Sequence, residues 1–176
     1  PDKPKAAKAP KTDLEASSAL SILKNGPESF AGRVLGILVS DGVEADLVKS
    51  VQKAAEEAGA KTIVVAPRIG GAKAKGGKII EAQEKIDGGP SVLFDAVAIL
   101  TSEDGARDLS AMHAAKTWVA DAYAHKKFML FNAEAKALME AAGLPEDPDK
   151  GMFAADDRDP KDFLKACAKL RHWDRG

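Results

Sequence analysis

The stretch GRVLGILVSDGVEAD, residues 32–46, decides the fold class of this 176-residue chain. Its first half is a short apolar run, typical of a central parallel strand that is covered on both faces. The run ends at the turn Ser40, Asp41, Gly42, and helical spacing begins at Val43. The stretch therefore predicts a buried strand, a tight acidic turn and a helix.

The acidic turn indicates both a helix cap and the place to look for a ligand. Asp41 can cap the helix while Glu44, three residues later, reaches back, which is the capping-box arrangement. Ligands of open α/β sheets bind where strand carboxyl ends meet helix N-termini, so any small-molecule site is expected here. A flavin phosphate fits poorly, because the two carboxylates would repel it.

Further apolar runs predict strands at 61–66, 96–100, 128–131 and 152–154, with helical patterns between them. One long helix is predicted through 109–123, and Asn132 is predicted to cap the helix after the fourth strand. Residues 79–86 indicate one or two short strands, in a hairpin beside the main sheet. The alternation predicts an α/β, flavodoxin-like fold, with a mostly parallel sheet in the order 2-1-3-4-5 and helices on both faces.

Residues 1–31 are predicted to form a linker or arm, partly disordered, before a domain at 32–176. Residues 1–12, rich in Lys, Pro and Ala without a large apolar residue, indicate a mobile linker. A nucleic-acid-binding arm is the less favoured interpretation, because the lysines lack arginine and aromatic neighbours. Residues 14–23 contain enough aliphatic side chains for this segment to dock on the chain's own domain or on a partner.

Composition excludes several classes of function. The formal net charge of −1, from 26 basic and 27 acidic residues, gives no general attraction to nucleic acid or to an anionic membrane. The single cysteine excludes an internal disulfide framework and fits a reducing compartment. No apolar run approaches the roughly 20 residues that span a bilayer. We therefore expect a cytoplasmic chain with neither nucleic-acid nor membrane partners; whether it is part of a longer protein stays open, since Pro1 is not an initiator methionine.

The usual catalytic and cofactor motifs are not matched. The glycine-rich loop 70–78 departs from a P-loop, because Gly77 stands where lysine is required and no Ser or Thr follows. Cys167 lies on the apolar face of a predicted helix, where a thiolate is disfavoured. The three histidines, His113, His125 and His172, lack metal-ligand spacing. No catalytic, cofactor-binding or metal-binding residue is therefore predicted from these motifs.

Longer stretches resemble a known family. GRVLGILVSDGVEADLV at 32–48, PSVLFDAVAIL at 90–100 and FMLFNAEAKALMEAAGL at 128–144 resemble the C-terminal domain of large-subunit monofunctional haem catalases. SALSILKNGPESFAGR, at 18–33, resembles the linker that joins this domain to the catalase core. The resemblance covers nearly the whole chain from about Leu14 onward.

That domain is similar to the class I glutamine amidotransferase-like superfamily, which includes intracellular proteases, deglycase-like proteins and stress chaperones. Active members place a strained cysteine after the fourth main strand, with a histidine nearby and a glutamate from the first strand–helix turn. Glu44 matches the glutamate, but Asn132 falls at the elbow and no histidine follows it. The resemblance thus implies a vestigial site at Glu44 and Asn132 without a nucleophile, and capping alone can explain Glu44.

The resemblance further implies that catalysis belongs to a parent enzyme, a catalase acting on hydrogen peroxide, whose haem lies in the core domain. Tyr123, the only tyrosine, cannot be assigned as a haem ligand, and this chain alone is expected to be no enzyme. The expected partners are the catalase core and the other subunits of a homotetramer, with unfolded client proteins as a further candidate. The expected roles are subunit stability, assembly and access to the haem channel.

Two alternatives stay open. The first is a stand-alone amidotransferase-like hydrolase or deglycase that uses Glu44 with a partner such as Cys167. The second is a small-ligand or nucleotide-binding module at the loops 41–44 and 101–104.

Overall fold

The computed structural model describes residue 4, residues 7–155 and residues 159–175. The mobile linker predicted for 1–12 lies partly outside these residues. The strands are β1 (Val34–Val39), β2 (Lys61–Ala66), β3 (Ala72–Lys73), β4 (Ile79–Ile80), β5 (Glu84–Lys85), β6 (Ala96–Leu100), β7 (Met129–Phe131) and β8 (Met152–Ala154). The helices are α1 (Ala45–Glu57), α2 (Glu103–Ala111), α3 (His113–Ala124), α4 (Lys136–Ala141) and α5 (Pro160–Cys167). None of the helices in this part of the chain is long and apolar enough to cross a bilayer.

Six strands form one sheet in the order β5-β2-β1-β6-β7-β8, and every neighbouring pair is parallel. The five predicted strands take the order 2-1-3-4-5, so the flavodoxin-like α/β prediction is confirmed, and β5 adds an edge strand. Strands β1 and β6 lie at the centre because their side chains are buried on both faces.

Helices cover both faces of the sheet. The buried side chains of α1 and α5 pack on one face, and those of α2, α3 and α4 pack on the other. Gly36 of β1 leaves room for the ring of Phe94, since a Cβ at this position would lie 2.3 Å from that ring. Burial on both faces by helical crossovers accounts for the near-continuous apolar runs in the strands.

Two short strands lie within residues 79–86 as predicted, but the hairpin predicted there is wrong, because the two strands belong to different sheets. Strands β3 and β4 pair antiparallel in a separate two-stranded sheet, whereas β5 joins the main sheet beside β2. Strand β3 comes from the glycine-rich loop 70–78, so this loop folds as a hairpin.

The long helix predicted through 109–123 is wrong, because the chain breaks it into α2 and α3 at Met112. Met112 has extended backbone, with φ −88° and ψ 123°, and its N–H donates to Leu109 O at 2.9 Å. The change of direction lets Trp118 and Val119 of α3 pack against the sheet. Burial against the sheet therefore outweighs the continuous helical spacing of the sequence.

Arg175 holds the C-terminal residues against the end of α3 and the loop before β8. Its Nε and Nη2 donate to Asp149 at 2.6 and 3.0 Å, and its Nη1 donates to Lys127 O at 2.8 Å. The guanidinium also lies 4.3 Å from the centroid of the Tyr123 ring. This buried, bidentate pair fixes the loop before β8 to the end of the chain.

Candidate functional site

The candidate site lies at the carboxyl ends of β1, β6 and β7. Ser40 follows β1, Thr101 follows β6 and Asn132 follows β7, and all three are buried. Parallel strands bring these ends to one edge of the sheet, where ligands of this fold class bind.

Asn132 pairs with the backbone of the neighbouring strand end. Its Oδ1 accepts from the Thr101 N–H at 3.0 Å, and its Nδ2 donates to Thr101 O at 2.7 Å. Nδ2 also donates to Glu134 Oε2 at 2.6 Å. The predicted side-chain cap at Asn132 is therefore wrong: no cap hydrogen bond forms, because the amide is already used by Thr101 and Glu134.

The backbone at Asn132 is extended, with φ −93° and ψ 163°. Among the described residues, the non-glycine residues with positive φ are Lys126 and Leu170, both elsewhere in the fold. A nucleophile elbow of the kind implied by the superfamily resemblance needs a strained turn. The chain has an unstrained amide at this position.

Two serines join the ends of β1 and β6. The Ser102 N–H donates to Ser40 Oγ at 3.0 Å, and Ser102 Oγ donates to Asp41 O at 2.6 Å. Ser102 Oγ also accepts from the Gly105 N–H at 3.0 Å, which caps α2. A Cβ at Gly105 would lie 2.0 Å from Ser40 Oγ, so only glycine fits there. Both serine hydroxyls are thus engaged with the chain's own backbone.

Asp41 holds the β3–β4 hairpin and does not cap α1. Its Oδ1 accepts from the Lys73 N–H at 2.8 Å, and its Oδ2 pairs with Arg68. The Lys73 hydrogen bond, opposed by partial burial and helped by Arg68, holds the pKa of Asp41 below its usual value. The charged carboxylate is therefore the form that this contact favours.

Glu44 is also an anchor for the hairpin. Its Oε1 lies 2.5 Å from Lys75 Nζ, and this hydrogen bond raises the pKa of the lysine, with a further contribution from the charge of Glu134. The predicted capping box is wrong, because Glu44 is the N-cap residue of α1 and its side chain makes no cap hydrogen bond. Backbone bonds from Gly42 N–H to Lys73 O and from Lys75 N–H to Val43 O complete the junction.

Cys167, His125 and His172 lie away from this edge of the sheet, whereas His113 directly follows Met112. Cys167 is buried among the apolar residues of α1 and α5, and burial raises the pKa of its thiol well above the usual value. His113 begins α3 and His125 follows its last residue, while His172 packs on Phe128. In the part of the chain that the structure describes, no group of three or more His, Cys, Asp or Glu residues could hold a metal ion.

The residues present do not fit a haem ligand set. The Tyr123 ring is covered by Arg175, and His172 Nε2 faces Asp149 Oδ1 at 3.8 Å. Both side chains are therefore engaged in the packing of the C-terminal residues.

Sequence reasoning found Asp41, Glu44 and Asn132 but missed their partners. Ser40 and Ser102 each stand at or just after the end of a predicted strand, which is the signal that could have found them. Lys73 and Lys75 gave no such signal, because they lie in the glycine-rich loop, about thirty residues after Asp41 and Glu44.

Comparisons with known proteins show the family of this chain. The family model of the C-terminal domain found in long catalases matches residues 31–176. Catalase C of Rhizobium meliloti is 42% identical over 171 residues, covering 97% of this chain and 24% of that protein. Catalase HPII of Pseudomonas putida is 32% identical over 166 residues, covering 93% of this chain and 23% of that protein. The chain thus spans about a quarter of the length of these relatives.

Solved structures show the same fold at low sequence identity. Oxidized DJ-1 of Toxoplasma gondii superposes with a TM-score of 0.63 at 14% identity, over 78% of this chain and 95% of that chain. A two-domain protein from Anabaena variabilis, with DJ-1/ThiJ/PfpI-like and ferritin-like domains, gives 0.60 at 18% identity, over 66% of this chain and 35% of that chain. On the family match, the chain belongs to the C-terminal domains found in long catalases.

Proposed function

We propose that this chain is the non-catalytic C-terminal domain of a large-subunit haem catalase, whose parent enzyme disproportionates hydrogen peroxide. The observation that carries this proposal is the family match over residues 31–176. Haem and the peroxide chemistry belong to the core domain of the parent. The role of the chain is to stabilise the subunit and its assembly.

The geometry at the carboxyl edge supports a non-catalytic role. Asn132 replaces a nucleophile and is saturated by Thr101 and Glu134, and Glu44 is paired with Lys75. This arrangement disfavours a hydrolase or deglycase. The Ser40 and Ser102 hydroxyls bond to the chain's own backbone, and the cavity beside Ser40 holds only about 190 Å³, which disfavours a small-ligand module.

The arm supplies the contact surface that this proposal needs. We divide the chain into an arm at 1–31 and a domain at 32–176. Asn25 Nδ2 donates to Ser18 O at 2.8 Å and to Ser21 O at 3.0 Å, which folds the segment into a compact turn. Four aliphatic side chains of this segment are between 55% and 88% exposed: Leu14, Leu20, Ile22 and Leu23.

Such a cluster fits a docking surface on the catalase core. Covalent attachment makes this docking intramolecular, so a modest apolar contact suffices. Contact with the other subunits of a homotetramer, and chaperone-like binding of unfolded clients, would use the same side chains. The proposed location is the cytoplasm.

Deletion of this chain from the full-length gene product tests the proposed role. We expect the shortened enzyme to decompose peroxide at an unchanged rate per haem, and to lose activity at a lower temperature or to dissociate more readily. The full-length Glu44→Gln variant is the control and should match the unmodified enzyme in both respects. Loss of peroxide decomposition in a haem-loaded, intact shortened enzyme, or unchanged thermal and subunit stability, would contradict the role.

A further inference from the structure

The sulfur-containing residues of the chain differ in exposure. The chain has four methionines and one cysteine, and all five lie in the part that the structure describes. Met129, Met139, Met152 and Cys167 are each 6% exposed or less. Met112 is half-buried. Since oxidation of sulfur follows exposure, Met112 is the one of these five residues that is most open to a dissolved oxidant in the folded chain.

Met112 also has an unusual position in the fold. It is the single extended residue between α2 and α3, so its side chain is not held within a continuous helix. One part of the side chain packs against the core on the α2–α4 face. It also lines a small cavity of about 190 Å³ that Asp41, Arg68 and Asp108 share.

We propose that Met112 is a peroxide-reactive modification site, which hydrogen peroxide converts to methionine sulfoxide. The thioether sulfur attacks one peroxide oxygen, an S–O bond forms and the O–O bond breaks. Sulfur gives up two electrons, and the departing hydroxide takes the proton of the new sulfur-bound hydroxyl, which leaves the sulfoxide and one molecule of water. The supply of peroxide near this chain rests on the proposed function, whereas the selectivity for Met112 rests on burial alone.

The cavity gives this oxidation a structural consequence. A sulfoxide oxygen is a hydrogen-bond acceptor, and the Arg68 guanidinium in the same cavity is a donor that now pairs with Asp41. The new acceptor competes with Asp41 for Arg68. Because Asp41 also accepts from the Lys73 N–H, oxidation should loosen the β3–β4 hairpin on the acidic turn.

Peptide mass spectrometry after treatment of the purified chain with hydrogen peroxide tests the selectivity. We expect sulfoxide at Met112 to form about tenfold faster than at Met129, Met139 or Met152, which react only after local opening. In guanidinium chloride all four methionines should react at similar rates, which controls for local sequence. Equal rates in the folded chain, or earlier oxidation of a buried methionine, would overturn the site.

Hydrogen exchange at the Lys73 N–H tests the consequence. Exchange should become faster after peroxide treatment and return after methionine sulfoxide reductase, and the Met112→Leu variant should not respond to peroxide. In Arg68→Gln, exchange should be fast from the start and insensitive to peroxide. Unchanged exchange in a chain with Met112 fully oxidised would overturn the coupling to the hairpin. A native gene product without haem would contradict the proposed catalase function, but it would not affect the measured preference for oxidation at Met112.

Discussion

Asn132 shows how a single side chain can join the ends of two neighbouring strands. Its carboxamide offers an acceptor and a donor, and Thr101 presents the complementary backbone N–H and C=O. The pair extends the hydrogen bonding between β6 and β7 past the end of both strands. A nucleophile at this position would leave both backbone groups of Thr101 without these bonds.

Replacement of this amide should therefore be costly. We expect Asn132→Ala to lower the free energy of unfolding by about 2–3 kcal/mol, because two buried backbone groups lose their partner. Urea denaturation followed by circular dichroism measures this change. Glu134→Gln is the matched control, since its side chain can still accept from Asn132 Nδ2, and its effect should stay below about 0.5 kcal/mol. An Asn132→Ala chain as stable as the unmodified one would contradict the structural role.

Asp149 gives the chain a pH-dependent stability at acid pH. Burial alone would raise its pKa, but hydrogen bonds from Arg175 and from the Gly151 N–H hold the pKa below its usual value. The folded chain therefore binds this proton less readily than the unfolded chain does. The resulting stabilisation is complete above the unfolded pKa of about 4 and is lost as the pH falls through the folded pKa.

Asp149→Asn should consequently destabilise the chain in a pH-dependent way. At neutral pH we expect a loss of about 2–3 kcal/mol in the free energy of unfolding, because the buried Arg175 keeps its charge without a counter-ion. The difference in the free energy of unfolding between the variant and the unmodified chain should become smaller below about pH 4. Asp147→Asn, at an exposed neighbouring position, should cause no such change. A gap that stays constant from pH 7 to acid would contradict the ion-pair explanation.

The sequence indicated the positions of Glu44 and Asn132, but it did not indicate the partners of their side chains. Glu44 and Asn132 could be placed because each follows a recognisable strand. Their contacts could not be predicted, since spacing within a turn reveals only local caps, and Lys75 approaches Glu44 from a distant hairpin. A carboxylate can cap a helix or form an ion pair with a cation, and the tertiary structure determines which of the two it does.

At the scale of elements, the β3–β4 hairpin determines the form of the candidate site. It covers the acidic turn through the Lys75–Glu44 ion pair and three hydrogen bonds that involve its backbone, and Arg68, just before it, adds an ion pair with Asp41. Its base depends on Gly71, where φ is +95° and a Cβ would lie 1.9 Å from Ile80 O. Gly70 has nearly the same φ, +96°, but an open space around it.

These two glycines form a matched pair for a test of the hairpin. Gly70→Ala should cost about 1–2 kcal/mol through backbone strain alone. Gly71→Ala carries the same strain and adds a clash with backbone, so its hairpin should open. Limited trypsin digestion, followed at Lys73 and Lys75, should be faster in Gly71→Ala than in Gly70→Ala. Equal cleavage rates in the two variants would show that the hairpin does not depend on this close contact.

The division between α2 and α3 shows where element-level prediction failed. The helical spacing of apolar residues continues through Met112, so no sequence pattern there indicated that α2 ends. The break depends on how the two helices pack against the sheet, which local spacing does not encode.

At the scale of the whole molecule, the strand order could be predicted and several buried charges could not. Alternating strands and helices with right-handed crossovers leave few arrangements, and the chain adopts the expected one. Lys127 and Arg175 are buried although charged residues usually lie at the surface. Burial lowers the pKa of Lys127 to about 8, and its ammonium donates to the carbonyls of Ser91 and Phe94.

The arm should matter only when the rest of the parent is present. In the full-length protein we expect Leu20→Ser with Ile22→Ser to weaken docking on the core, because apolar contact area is lost. Differential scanning calorimetry should show a lower transition temperature for the double variant. In the isolated chain the same substitutions should leave the transition unchanged, since both side chains are exposed there. Equal transition temperatures for the full-length proteins would contradict docking through the arm.

The central claim is that this chain is the C-terminal domain of a haem catalase. It is tested most directly on the native gene product, isolated from cells with an antibody raised against residues 32–176. Its subunit mass on an SDS gel and its Soret absorbance should be recorded together. We expect a subunit roughly four times as long as this chain, as the coverage of the relatives indicates, and it should carry haem. A haem-free product of this chain's own size would contradict the claim and would make Glu44 the first residue to mutate.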